Sequence, residues 1–510
     1  MLGEFLTLAT AAHAGRPALF AANGEVLATW RELGARVERL RGALRARGVG
    51  PGDRVAAWLP RGADEVALMW AAFGVGAVWV SIPRKTPVAQ ARWLAQDAEP
   101  ALVVGDAQTS AALGDSAGGA PVTECGELKK ISASMAPALT AGPGTLAALA
   151  YTSGSTGWPK GVMIGHGNLF DGMMRVNSYL SHRVDDRLLG LMPLSSPWGM
   201  LQILLAAQAG AAVVLPPATA LSDQLAGAIR AGGVTGLAAL PPTWIQLVDW
   251  LVARGETLPE LRYVTTSGGV LPARTWTAFS QVFPRAEIFA TYGLTEAFRT
   301  TVVPPASFSR KTGSLGRPAL GASIAVVRDE GGVAGLDEVG ELVHHGACVT
   351  HGYWRRPVET AAAFAVRAAH TALFAAGERV HYSGDMVRRD AEGFLWFVGR
   401  RDTLIKTGGH RVSAEEIEHA LLGVAGTTHA VVFGVPDEAL GQALVAVLEL
   451  ADASEAAQAA VQRRARDVLA SHQLPRHWQN WAGAMPLTAN GKIDRPAVIT
   501  RAKKSIGVAD

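Results

Sequence analysis

Residues 146–161 read LAALAYTSGSTGWPKG. The first seven, LAALAYT, open on five apolar residues as a buried strand requires, and they run into a loop of Gly, Ser and Thr that ends at Lys160. Thr152, Ser153, Gly154, Ser155, Thr156 and Gly157 present backbone N–H groups and short hydroxyls where larger side chains would hold an anion away. Polyphosphate needs such a cradle, and a lysine at its edge adds positive charge. Gly157 is followed by Trp-Pro-Lys, so the spacing of the common P-loop fails. Taken alone, the loop reads either as a phosphate cradle or as a flexible turn.

Outward from this loop the texture is that of an α/β protein. A helical pattern from Trp30 to Arg47 stops at Gly48, Gly50 and Pro51; VAAWL at 55–59 reads as a strand, 63–75 as a helix and AVWVSI at 77–82 as a strand. The rhythm returns at 211–215, 225–231, 236–240 and 243–253. Strands alternating with helices of this length predict βαβ units and a largely parallel sheet. The Ala-, Gly-, Ser- and Thr-rich stretch 105–143 reads as a loosely ordered surface excursion. No fixed-period repeat is visible. Near residue 399 the pattern becomes strand, capped helix (Ser413 to Leu422, with Ser413 and Glu416 spaced as a capping box), strands at 429–433 and 443–450, and a helix at 454–470. A compact α+β unit is predicted there, with the boundary at Gly399–Asp402.

At 510 residues the chain is long enough for two or three domains. Its 49% hydrophobic and 18% charged content suits a packed soluble protein. A charge of +3, from 47 basic and 44 acidic residues, leaves no electrostatic footprint for nucleic acid. Arg36, Arg39, Arg41, Arg45 and Arg47 read as the solvated face of a helix whose apolar stripe is Leu33, Val37, Leu40 and Leu44. Cys125 and Cys348, far apart, predict no disulfide framework and a reducing cytoplasm. His344, His345 and His351 near Cys348 match no zinc spacing and read as a strand and turn. LTLATAAHA at 6–14 lacks the positive flank of a signal peptide and reads as an opening helix. The apolar run 199–215 is too short and too polar for a membrane span and reads as a core helix leading into a strand.

YTSGSTGWPKG resembles the phosphate loop of the acyl-adenylate-forming superfamily, which includes acyl-CoA synthetases, adenylation domains of peptide synthetases, and luciferases. Further segments resemble the family's other signatures in the family's order: TYGLTE at 291–296, YSGD at 382–385, GRRDTLIKTGGHRVSAEEIE at 399–418 and PLTANGKIDR at 486–495. GELVHHGACVTHGYW at 340–354 resembles one of its sheet segments. The resemblance covers essentially the whole chain, and looks closest to bacterial AMP-forming acyl ligases of biosynthetic clusters, including exosortase-associated ones. It implies a large multi-sheet α/β N-terminal domain (1–398) and a small mobile α+β C-terminal domain (399–510) hinged at Asp402. It implies ATP and Mg²⁺, a carboxylic acid substrate activated as an acyl-AMP, and a thiol acceptor, CoA or the phosphopantetheine of a free-standing carrier protein. Nothing in it calls for nucleic acid or a membrane span.

The resemblance also assigns roles. Tyr292 and Gly293 face adenine, and an aromatic ring suits a base. Ser267, Gly268 and Gly269 are read as the wall opposite Trp198 and Met200 in an apolar pocket, close to the adenine. Thr295 meets the α-phosphate, and Glu296 is a hard oxygen ligand for Mg²⁺. Asp385 and Arg400 hold the ribose diol. Gly408 and Gly409 line a thiol tunnel, and Arg411 meets phosphate. Lys492 enters the site for adenylation and neutralises charge as a carboxylate attacks phosphorus. Lys406 is open between a role in this segment and a solvated strand face.

One stretch departs from the family. Where acyl ligases often carry PLFHxxG, this chain has MPLSSPWGM at 192–200, which puts Ser196 at the His position and Pro197 near the Asp that pairs the α-amino group in amino-acid adenylation domains. Neither can pair an ammonium ion, so non-α-amino acids are expected as substrates. Ser196, Trp198 and Met200 are candidates for an acyl pocket, with core packing the alternative for Trp198. An amino-acid adenylating enzyme that loads a carrier protein, a luciferase-like oxygenase and a non-catalytic adenylate sensor are the rival readings. The presence of both Lys492 and Glu296 disfavours the sensor.

Overall fold

The computed structural model describes residues 2–131, 139, 141–152, 159–217, 220–269, 271–401, 404–408, 410–422, 424, 426–452, 454–487 and 493–506. The chain divides into two units, one of residues 1–325, 343–383 and 393–395, the other of residues 326–342, 384–392 and 396–510.

The first unit is a large multi-sheet α/β body. In one sheet the strands run in the order Ser116–Ala117, Ala120–Glu124, Leu102–Gly105, Arg54–Trp58, Val78–Ser81, Leu146–Thr152 and Lys160–Gly165. Neighbours are parallel from Ala120–Glu124 to Leu146–Thr152, and Lys160–Gly165 then folds back antiparallel. A second sheet places Glu287–Tyr292, Tyr263–Thr266, Gly236–Ala239, Arg187–Leu189, Ala212–Leu215 and Pro17–Ala21 side by side, all parallel. Intervening helices bury both faces, which is why these strands are continuously apolar. Trp30–Ala46 shows how the sequence sets one such helix. Thr29 and Glu32 close a reciprocal capping box, and Trp30, Leu33, Val37, Leu40 and Leu44 are buried along one stripe. Leu2–Ala12 is the opening helix, and Pro197–Ala209 is a core helix followed by the strand Ala212–Leu215, as the sequence predicts.

Two expectations are corrected. The stretch 105–143 is not a loose excursion where it is described. Asp106 and Thr109 cap the helix Ala107–Leu113, the Thr109 hydroxyl donates to Trp58 O at 2.9 Å, and Ala120–Glu124 joins the sheet beside Leu102–Gly105. Its small residues pack close: Ala117 and Ala120 lie in the apolar core with Leu94 and Leu113. Composition misleads because alanine serves a tight core as well as a loop. Arg41, read as solvated, is buried, with its guanidinium on Glu38 one turn earlier and its stem against Gly74. A long apolar stem lets arginine line a core while its head finds a carboxylate.

The second unit holds a sheet of His410–Ser413, Leu404–Thr407, Gly441–Leu450 and Thr427–Asp437, with His477–Asn480 also on Gly441–Leu450. Alternate residues of Thr427–Asp437 serve two cores. Ala430 and Val432 pack with Ile417 and Leu421, whereas Val431, Phe433 and Val435 pack with Trp481, Met485 and Val498. Ser413 caps the helix Ala414–Leu421 by accepting from Glu416 N at 3.1 Å, while its hydroxyl also reaches the Glu415 carboxylate. Among the described residues no helix is long and apolar enough to cross a membrane.

Candidate active site

The strands Leu146–Thr152 and Lys160–Gly165 bring the two ends of the Gly/Ser/Thr loop together, Thr152 opposite Lys160. Ser153, Gly154, Ser155, Thr156 and Gly157 lie outside the described residues. A segment distant in sequence completes this side of the site. Met163 N donates to Gly352 O and Trp354 N to Gly161 O, so 349–354 lies along the strand that follows the loop. The same segment reaches the TYGLTE turn, where Thr350 N donates to Glu296 O at 2.9 Å and Ala297 pairs with Val349. Tyr353 therefore stands between two motifs. Its hydroxyl donates to Glu296 Oε1 at 2.9 Å, and Lys160 Nζ lies 5.4 Å from its ring centroid. Sequence reading took 340–354 as a sheet segment and missed Tyr353.

Tyr292 ends the strand Glu287–Tyr292, half-buried, its ring stacked at 6.0 Å and 22° on His344. His344 is fully buried, and burial pushes its pKa down to about 3, so its ring is a neutral backing for Tyr292. Gly293 admits no side chain, because a Cβ there would lie 2.3 Å from Arg299 N. Thr295 and Glu296 follow in the turn, both half-buried. Ser267 is buried at the end of the neighbouring strand, and Gly268 has φ +81 with room for a Cβ denied by Leu240 at 2.9 Å. These turns sit at the C-terminal ends of adjacent parallel strands, where α/β sheets bind ligands.

A narrow cavity of about 20 Å³, room for about one water, lies against these strands at Leu188, Ala238, Tyr263 and Thr265. Trp198 lines it, whereas Met200 is buried in the core and is not among its lining residues. Ser196 does not line it either: its hydroxyl accepts from Gly199 N at 3.2 Å and caps Pro197–Ala209, the helix that carries Trp198. Arg299 forms part of the wall, its guanidinium 3.9 Å from the Trp198 ring centroid and hydrogen-bonded to the Thr291 hydroxyl. Nothing in the sequence reading singled it out, although an arginine three residues after Glu296 in an apolar setting is the signal that could have done so.

In the second unit Asp385 is buried and accepts from Arg400 at 2.8 Å. Arg401 meets Glu341 at 2.9 Å, and Gly384 N donates to the same carboxylate at 3.0 Å. Gly408 follows the strand Leu404–Thr407 with φ +54, its N–H on Leu440 O, and the backbone of Arg411 lies opposite Lys406. Asp402, Gly409 and Lys492 lie outside the described residues.

The family model of AMP-binding enzymes matches residues 6–354, and that of their C-terminal domain matches 416–492. The chain belongs to the AMP-binding enzyme family. An L-proline–[L-prolyl-carrier protein] ligase of Streptomyces coelicolor is 34% identical over 83% of the chain and 82% of its own length. Several other relatives are much longer, and the chain spans between 6% and 40% of them. The o-succinylbenzoate CoA synthetase of Bacillus subtilis, solved with its acyl-adenylate intermediate, is 25% identical with TM-score 0.84 over 97% of each chain. The same enzyme solved with ATP and magnesium gives 0.83 at 25% identity, over 96% of this chain and 98% of that one. This AMP-binding enzyme is an AMP-forming acyl ligase, activating a carboxylic acid with ATP as an acyl-AMP.

The site fits a magnesium ion that arrives with the nucleotide. Among the described residues no cluster of three or more His, Cys, Asp or Glu could hold a metal. Glu296 offers a single carboxylate, half-buried and held by Tyr353. Mg²⁺ is commonly bound by one or two carboxylates, waters and substrate phosphates.

Proposed function

We propose that the chain catalyses two half-reactions: attack of a carboxylate on the ATP α-phosphate, releasing pyrophosphate, and then attack of a pantetheine thiol on the acyl-AMP, releasing AMP. The observation that carries the reading is the meeting of Lys160 and Glu296 on Tyr353. It joins the edge of a Gly/Ser/Thr loop to a carboxylate at a strand end, so that polyphosphate and its cation have adjacent partners. Thr152 to Gly157 and Lys160 would cradle the β- and γ-phosphates, Thr295 would donate to the α-phosphate, and Tyr292 with Ser267–Gly269 would hold adenine. Bound through Glu296, magnesium would supply Lewis-acid polarisation of the phosphoryl oxygens. Asp385 and Arg400 would hold the ribose. Lys492 would neutralise charge developing on the α-phosphate.

The domain boundary at residue 399, the hinge at Asp402 and a thiol path along Gly408 and Gly409, with Arg411 on phosphate in one orientation, belong to this proposal. So do a cytoplasmic setting and placement among biosynthetic-cluster ligases of the exosortase-associated type, which rests on motif resemblance. The acceptor is a free-standing carrier protein in our reading, with CoA the alternative. Likeness to a prolyl-carrier ligase favours a second reading, amino-acid activation. Against it stand Ser196 and Pro197, which cannot pair an ammonium ion. Pyrophosphate release across a panel of carboxylic and amino acids tests the first half-reaction; transfer to CoA or to a phosphopantetheinylated carrier tests the second.

A further inference from the structure

Glu418 and Arg495 form an ion pair that the rules of their own helices do not call for. Glu418 lies inside the helix Ala414–Leu421, its side chain only 13% exposed. Arg495 opens the helix Arg495–Ser505, and a cation at a helix N-terminus opposes the macrodipole. Burying a carboxylate costs free energy unless it is paired and hydrogen-bonded. Here it is both. Arg495 Nη1 donates to the two Glu418 oxygens at 2.5 and 2.6 Å, and Arg495 Nη2 donates to Val432 O at 3.1 Å. Val432 N in turn donates to Glu418 Oε1 at 2.5 Å. Val432 belongs to Thr427–Asp437, the edge strand of the small sheet, so the pair takes the place of a neighbouring strand there.

The residues that flank 488–492 are held by the same part of the small unit. Asp494 N donates to Pro486 O at 2.8 Å, and Leu487 pairs with Ile493. Met485 is buried, its N–H on the Glu449 carboxylate at 2.6 Å, and Ile493 packs on the apolar cluster of Val431, Phe433 and Val498. Asp494 caps the last helix by accepting from Ala497 N at 3.1 Å. To these contacts the Glu418 pair adds a bidentate, directional link to a second helix, which apolar packing does not supply. Lys492 stands three positions before Arg495, a reach of about 10 Å at most. A charge that has to meet a reacting carboxylate and an α-phosphate tolerates little displacement, since an error of about 1 Å can cost 10²-fold in rate.

Resting on the role proposed above for Lys492 in acyl-AMP formation, we infer that Glu418 and Arg495 are positioning residues for that lysine. Arg495→Lys keeps the charge and loses the fork that grips both carboxylate oxygens. It should lower kcat for acid-dependent pyrophosphate exchange by roughly 10-fold, less than a full 1 Å displacement would, with KM for ATP and for the acid near wild type. Transfer from supplied acyl-AMP to CoA or to a phosphopantetheinylated carrier, whichever the wild type accepts, should stay near normal. Combined with Lys492→Ala, Arg495→Lys should add no further loss, because its effect acts through the lysine. Glu418→Gln should repeat this pattern; if it does not fold, Arg495→Lys decides. Losses that multiply in the double variant, or that fall equally on both half-reactions, would overturn the inference and leave the role of Lys492 standing. Normal exchange in Lys492→Ala would overturn that role and the inference with it.

Discussion

The Tyr353 hydroxyl donates to Glu296 Oε1 at 2.9 Å, and the ring that carries it lies 5.4 Å from Lys160 Nζ. Three segments separated by up to 193 positions thereby share one side chain, by subtraction of 160 from 353. Tyr353→Phe keeps the ring and removes the bond to the carboxylate. A hydrogen bond to a charged group is worth about 1.5 kcal/mol at the low end, so kcat/KM for Mg·ATP should fall about 10-fold. Steady-state kinetics at saturating acid measure this, and an unchanged value would remove Tyr353 from the site.

Glu296→Gln preserves shape and removes charge. If the carboxylate meets magnesium, the variant should need more Mg²⁺ for half-maximal activity while its thermal midpoint stays near wild type. Identical Mg²⁺ titrations for the two proteins would reject that role.

The two half-reactions should respond to different residues. Lys492→Ala should slow acyl-AMP formation by roughly 10²–10³-fold, as loss of one preorganised donor does, while leaving transfer from supplied acyl-AMP nearly normal. Gly409→Leu should spare pyrophosphate exchange and block thioester formation. Asp402→Pro, with φ fixed at the proposed hinge, should disable one half-reaction and spare the other. Equal impairment of both steps by Lys492→Ala would count against domain alternation.

His344 links pH to stability. Burial lowers its folded pKa from the ordinary 6.5 to about 3, so the folded state resists protonation that the unfolded state accepts. The stability it contributes is complete above pH 6.5 and is lost as pH falls towards 3, by about 1.4 kcal/mol per pH unit. His182 adds to the same trend, with its folded pKa pushed down to about 4. Thermal midpoints should drop over that window, and His344→Phe should make the drop shallower. Equal slopes for wild type and variant would show that His344 is not the titrating group.

The sequence made the sheet legible because its strands and helices carry different periods. Arg54–Trp58, Val78–Ser81 and Gly236–Ala239 are short apolar runs set off by helices with clear stripes. Residues 105–143 were misread because a small-residue core and a small-residue loop have the same composition. Tyr292 and Glu296 were legible from their motif. Tyr353 was hidden, since its role arises from where the segment 349–354 pairs, and pairing partners are not encoded locally. Arg299 was hidden because its positive φ and its packing on the Trp198 ring are properties of the fold alone.

The central claim is that this enzyme joins a carboxylic acid to AMP before any thiol takes part. Exchange of labelled pyrophosphate into ATP, with purified enzyme and Mg²⁺ and without CoA or carrier protein, tests it most directly. The account predicts exchange that depends on the acid, with the acyl-AMP trapped as a hydroxamate when hydroxylamine is added. ATP cleavage to ADP and phosphate, or exchange indifferent to every acid supplied, would contradict it.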